Sequence, residues 1–222
     1  MRRLAALGVI AVLTVAGCGG SSGQRTESPS VAERTAPAQP TSTTPGIAVA
    51  EPEYLGGTVK PVRAAPELGL RTWDGRRVTM ADYAGKAVLV TFLYVHCPDV
   101  CPLIVDNLSR VKDRLGPAGK KLRVVAVSVD PTGDTPAAVK DFLITHRALK
   151  DIDYLVGSQD QLAAAWSRWG IGARVDKQNR ALIEHSGVIW GIDAQGRRAT
   201  FYPATGFDVA DIESDVRLLL KQ

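Results

Sequence analysis

The sequence predicts an α/β protein, a three-layer α/β sandwich with an N-terminal β-hairpin extension, and three features carry that prediction. Two nearly continuous apolar runs rich in β-branched residues, 87–94 and 122–129, have the pattern of central strands buried on both faces. A helical stripe lies between them, so together they read as a β-α-β unit with a parallel crossover. Further helical patterns and a closing strand pair with a last helix follow. The composition agrees: of 222 residues, 45% are hydrophobic and 23% charged, enough apolar side chains for a core.

Taken in order, residues 68–82 read as a short hairpin turning at Trp73-Asp74-Gly75, with Val78 and Met80 alternating behind the turn. After the 87–94 run comes Cys97-Pro98-Asp99-Val100-Cys101-Pro102. A helix follows, with Ile104, Leu108, Val111 and Leu115 on one stripe and Gly116-Pro117 as its stop. Beyond the 122–129 strand, Thr135 and Pro136 make an N-cap and first-turn pair for a helix burying Val139, Phe142 and Leu143. Residues 154–156 read as a short strand. Ser158 with Gln161 forms a capping box for a helix carrying Leu162, Ala165, Trp166 and Trp169, closed by Gly170. Strands at 188–192 and 199–202 flank the hairpin signal Asp193-Ala194-Gln195-Gly196, and Asp208 caps a last helix with Ile212, Val216 and Leu219 inward. A strand feeding a cysteine-bearing turn at a helix N-terminus is the thioredoxin-like arrangement, which gives a fold and no function by itself.

Ahead of this domain the chain reads as an address. Met1 to Arg3 is basic, and residues 4–16 form an uncharged run that is too short for a membrane span and suits a signal peptide. The run ends in Val15-Ala16-Gly17-Cys18, which resembles a bacterial lipoprotein lipobox with Cys18 as the lipidation site. Between residues 19 and 46, twenty of twenty-eight residues are Gly, Ser, Thr, Pro or Gln, a composition that cannot offset its ordering entropy by burial. The expected organisation is therefore a signal peptide over 1–17, a lipidated cysteine and tether over 18–50, and one domain over 51–222. That domain stands on the extracytoplasmic side of the cell membrane.

Charge excludes one class. The 27 Lys and Arg against 23 Asp and Glu give a net +4, two units of which come from Arg2 and Arg3 in the leader. With aromatics at 6%, neither a strong basic field nor stacking platforms are available, so nucleic acid is not an expected partner.

Three cysteines cannot make a disulfide framework, and after Cys18 the remaining pair needs its own account. Cys97 and Cys101 are four apart, each followed by Pro. Both sulfurs should therefore lie near a helix N-terminus, where the partial positive charge favours thiolate. The pair reads in three ways: an inert disulfide; a redox pair, at a spacing one residue longer than the usual oxidoreductase motif; or metal ligands, which require a third donor. His146 lies at the i+4 position from Phe142, on the inner side of its helix. His96 adjoins Cys97, but neighbouring side chains at a strand end point opposite ways. His185 precedes an apolar strand, in an expected loop that can fold over the cysteine turn, a placement periodicity does not supply. Two thiolates with an imidazole form a soft set suited to copper, especially Cu(I), and also able to accept zinc; Mg²⁺ and Ca²⁺ are disfavoured.

Three ordered blocks carry a family resemblance: residues 91–102 around the cysteines, Ser128-Val129-Asp130-Pro131 with Asp134-Thr135-Pro136, and Glu184-His185-Ser186 before Ile192-Asp193. They resemble the SCO/SenC proteins, thioredoxin-fold copper chaperones of cytochrome c oxidase assembly. The resemblance implies Cys97, Cys101 and His185 as ligands of one copper ion, Cu(I) or Cu(II). The implied activity is delivery of copper to the dinuclear copper site of oxidase subunit II, a role in which no covalent substrate turnover is needed. The alternative is a thiol-disulfide reductase that keeps the acceptor's cysteines reduced through Cys97 and Cys101. Gly133, Glu184 and Trp190 depart from the residues usual in that family and remove no donor atom.

Overall fold

The computed structural model describes residues 53–175 and 183–222. The leader, Cys18 and the tether expected over 1–50 lie outside the described residues. Among the described residues, no helix is long and apolar enough to cross a membrane.

The centre of the fold is the predicted β-α-β unit, made from side chains that can be buried on every side. Strand β4 (Ala87–Leu93) is buried at all seven positions, and β5 (Leu122–Ser128) pairs with it in parallel from Ala87↔Leu122 to Leu93↔Ser128. Strand β6 (Ile152–Val156) extends the parallel set. Around this trio the sheet is antiparallel: β9 (Val188–Ile192) pairs with β4, β10 (Arg197–Pro203) with β9, and β1 (Gly57–Ala64) with β10. On the far side β6 takes β2 (Leu70–Thr72), which pairs with β3 (Arg77–Val78), so eight strands run β1-β10-β9-β4-β5-β6-β2-β3.

Helix α1 (Val100–Arg114) shares a face of the sheet with α2 (Pro136–Thr145) and α4 (Val209–Leu219). It packs on α4, and its Asp106 meets His146 at the end of α2. Helix α3 (Gln159–Trp169) covers the opposite face. Register fixes this assignment. Tyr154 meets Phe142 of α2 and stands in register with Ala126 and Thr91. The next residue of β4, Phe92, must therefore point to the other face, where it meets Trp169 of α3. The caps are those the sequence specifies: Thr135 accepts from the Ala138 N–H, Ser158 and Gln161 form a reciprocal capping box, Gly170 is left-handed with φ 71°, and Asp208 accepts from the Ala210 N–H.

Three expectations are corrected. The 68–82 hairpin is β2–β3, but it is shorter, because Thr79 and Asp82 cap a 3-10 turn that removes Met80 from the strand. The N-terminal extension also includes β1, which joins the far edge beside β10 instead of forming a hairpin. His185 lies on a strand, β8 (Ile183–His185), paired with β7 (Ala173–Val175) in a separate two-stranded sheet.

Candidate metal centre

The cysteine turn is the continuation of the most buried strand. Past Leu93, whose carbonyl accepts from the Val129 N–H at 2.9 Å, the chain turns back so that the Cys97 N–H reaches the Tyr94 carbonyl at 3.3 Å. The Val95 N–H is held by Asp134 Oδ1 at 2.9 Å. Asp134 is itself buried and accepts from the Tyr154 hydroxyl at 2.7 Å. Its carboxyl is pushed up to about 6 by burial, against the hydrogen bonds that stabilise its charge.

Helix α1 starts at Val100 with Asp99 in the cap position, and the Asp99 side chain makes no capping bond. The Cys97 sulfur takes that role: it accepts from the Cys101 N–H at 3.4 Å and lies within reach of the backbone of Asp99 and Val100. Helix starts leave N–H groups in need of an acceptor, and here the Cys97 sulfur supplies one. Burial pushes the Cys97 thiol up, but these donors and the Cys101 thiol together hold it below the usual thiol range. Cys101 behaves oppositely. It is fully buried, and burial pushes its thiol far above the ordinary value. The pull toward thiolate expected of both sulfurs is thus present as a downward shift at Cys97 and corrected at Cys101, whose desolvation outweighs the helix. Both cysteines are free thiols.

His185 reaches this turn through the β7–β8 pair. Ala173 and His185 are register partners, and beyond them the Ser186 N–H donates to the Gly172 carbonyl at 2.9 Å while the Gly172 N–H donates to Ser186 Oγ at 3.2 Å. The imidazole stands edge-on to the Tyr94 ring, with centroids 6.1 Å apart at 86°. Tyr94 touches both halves of the site, since its hydroxyl lies within hydrogen-bonding reach of the Cys97 sulfur and the Ile183 backbone. His185 Nδ1 is 3.3 Å from the Ser186 carbonyl oxygen, an acceptor, which favours hydrogen on Nδ1 and a free lone pair on Nε2. Burial holds the imidazole below its ordinary value, so it is neutral at pH 7, the form that binds metal. Among the described residues, no three His, Cys, Asp or Glu side chains are already gathered closely enough to hold an ion. The two sulfurs adjoin, and Tyr94 is the residue that touches both Cys97 and the imidazole.

The other histidines are placed elsewhere. His146 packs at a tilt on Phe142, its i−4 neighbour, with ring centroids 4.7 Å apart, and meets Asp106 at 3.0 Å. His96 is exposed and lies beside Gly133, where a Cβ would come within 3.0 Å of its ring and 2.1 Å of Asp130 Oδ2. Gly133 is therefore demanded by the tight Asp130 turn, whose Oδ1 accepts from the Gly133 N–H at 2.8 Å. Glu184 pairs with Arg174 at 2.5 Å, and Trp190 packs on Phe201 with the Arg198 guanidinium 4.9 Å from its ring. Sequence reasoning missed Tyr94 and Asp134 as site residues. Tyr94 was hidden in an apolar run that reads as core, and its one signal was a hydroxyl at the end of that run.

Residues 61–221 match the family model described as SCO1/SenC. The human mitochondrial SCO1 homologue is 26% identical over 148 residues, covering 64% of this chain and 48% of that protein, so the chain spans about half the length of that relative. The copper-bound structure of ScoI from Bradyrhizobium japonicum is 26% identical, with a TM-score of 0.62 over 71% of this chain and 99% of that one. The apo Sco1 structure from Thermus thermophilus shares the fold, with a TM-score of 0.66 at 23% identity over 75% of this chain and 97% of that one. The match over residues 61–221, on a fold that these solved structures share, makes the chain a member of the SCO1/SenC family.

Proposed function

We propose that the chain is a membrane-anchored metallochaperone that binds one copper ion through Cys97, Cys101 and His185 and passes it to the dinuclear copper site of cytochrome c oxidase subunit II. The observation that carries this reading is the turn itself: two free thiols at the start of α1, one of them held below the usual thiol range by backbone donors, beside a tyrosine whose ring meets a neutral imidazole edge-on. Two soft sulfurs and a nitrogen match Cu(I) better than any hard cation. The copper bound in the Bradyrhizobium relative supports the same cargo here. Copper is the substrate in this scheme and leaves by exchanging its ligands one at a time for those of the acceptor.

The asymmetry of the thiols favours a second reading beside the first. Cys97 is held below the usual thiol range and Cys101 is pushed far above it, the division of labour a disulfide reductase needs. Cys97 attacks an acceptor disulfide and Cys101 then displaces the mixed disulfide. Two electrons and two protons pass to the acceptor's cysteines, and Cys97–Cys101 is left oxidised.

Titration of the reduced full chain with Cu(I) tests the first reading. One equivalent should bind to the reduced protein and none to the protein oxidised at Cys97 and Cys101. Binding that survives oxidation would remove the sulfurs from the site.

The anchor belongs to the same proposal, with 1–17 as signal peptide, Cys18 as lipidated residue and 18–50 as tether. Cys18→Ala should move the protein from the membrane to the soluble fraction of the producing cells. If fractionation is unchanged, the lipid anchor is wrong.

A further inference from the structure

At the end of the sheet opposite the cysteine turn, the chain enters three adjacent parallel strands, and each entrance carries a cation. Lys86 immediately precedes β4, Arg123 is the second residue of β5, and Lys150 lies two residues before β6. Neighbouring strands are about 4.8 Å apart, so the three backbone positions fall within roughly 10 Å of one another. All three side chains, with Arg76, line one cavity of about 290 Å³.

Three carboxylates share that lining, and each already has partners. Asp82 accepts from the Thr79 N–H at 2.7 Å and the Thr79 hydroxyl at 2.9 Å. Asp151 pairs with Lys112 at 2.5 Å. Asp153 takes Arg76 at 2.5 Å and the Tyr83 hydroxyl at 2.9 Å. What remains is cationic. Among the described residues, the hydrogen bonds of Lys86 and Arg123 go to backbone carbonyls alone, those of Asp82 and Leu122, each at 3.4 Å. Among the described residues, Lys150 has no hydrogen-bond or ion-pair partner.

With Asp151 and Asp153 each in an ion pair, Lys86, Arg123 and Lys150 face Asp82 alone as counter-charge, and a multivalent anion between them relieves the remaining repulsion. The Arg123 fork suits two oxygens of one phosphorus centre, with the lysines as point charges on the others. We propose that this cavity binds a phosphate-bearing anion. Seven residues of β4, at about 3.3 Å each, separate it from the cysteine turn by roughly 20 Å, so it is independent of copper. The phosphate can come from a soluble ion or from an anionic phospholipid headgroup. A headgroup would set the domain on the bilayer with the cysteine turn facing away from it.

The test follows backbone amides by NMR in the reduced full chain, titrated with inorganic phosphate and, separately, with phosphatidylglycerol or phosphatidylcholine vesicles. Saturable shifts centred on Lys86, Arg123 and Lys150 are expected, with affinity at least tenfold weaker in the double variant Arg123→Gln, Lys150→Gln. The variant should keep its Cu(I) stoichiometry and unfolding midpoint, because both side chains sit on the cavity surface away from the core. Shifts with inorganic phosphate assign a soluble ligand; shifts with phosphatidylglycerol vesicles alone assign a headgroup. No saturable change with any of these probes, or a change that the double variant retains, overturns the site.

Discussion

His185→Ala is expected to weaken Cu(I) binding by the reduced chain about 100-fold or more and to leave disulfide exchange through Cys97 and Cys101 near its parent rate. Loss of a group that merely orients a ligand costs metal affinity roughly 10-fold to 100-fold, and loss of a donor atom should reach at least the top of that range. The chemistry separates the two roles because exchange needs only sulfur: Cys97 keeps its capping donors and Cys101 its burial whatever residue 185 is. The hairpin should survive the change. The Ser186–Gly172 bonds and the Arg174–Glu184 pair hold it without the imidazole, whose ring adds an edge-on contact with Tyr94. Competition with a Cu(I) chelator measures the first effect, and the rate of reduction of a small disulfide measures the second. An affinity equal to the parent's would show that the imidazole does not touch copper, and the chaperone reading would rest on two sulfurs alone.

What the sequence disclosed depended on how strongly local chemistry forced each element. Strands β4 and β5 are buried on both faces, so their apolar runs were unmistakable, and the capping residues Thr135, Ser158 and Asp208 marked helix starts because few other residues satisfy those N–H groups. Strand β1 was invisible for the opposite reason. Its residues GTVKPVRA are almost all exposed, and it has no apolar alternation, since an edge strand needs only backbone bonds on one side. At the site, the helix-start position of the cysteines followed from Pro98 and Pro102, but the difference between the sulfurs did not. That difference comes from depth below the surface, which spacing does not encode. Nor did periodicity connect His185 to the turn: its strand has three described residues, and the connection runs through an aromatic contact across 91 positions of sequence. Only the family resemblance chose it among the three histidines.

Asp134 is expected to govern both the stability of the cysteine turn and its pH dependence. It accepts from the Val95 N–H, two residues before Cys97, and from the Tyr154 hydroxyl, and it is buried. Asp134→Ala leaves both donors without an acceptor in the interior, at about 1–3 kcal/mol each, so a loss of about 3 kcal/mol is the central expectation. Asp134→Asn keeps an acceptor for Val95 and removes the charge, which makes it the informative variant. In the folded chain the carboxyl is raised to about 6, chiefly by burial, while in the unfolded chain it returns to the ordinary range near 4. The folded state therefore holds the proton more tightly, and stability falls as pH rises from about 4 to about 6, after which the full cost of burying the charge is present. Asp134→Asn has no such cost, so relative to the parent it should gain about 2–3 kcal/mol between pH 4 and pH 7, the free-energy equivalent of a shift of roughly two pH units. Denaturant unfolding of parent and variant at a series of pH values reads this directly. Parallel curves across that window would mean that another group carries the titration. If Cu(I) affinity drops in Asp134→Ala and is kept in Asp134→Asn, the Val95 hydrogen bond, and not the charge, is what sets the cysteine turn for its cargo.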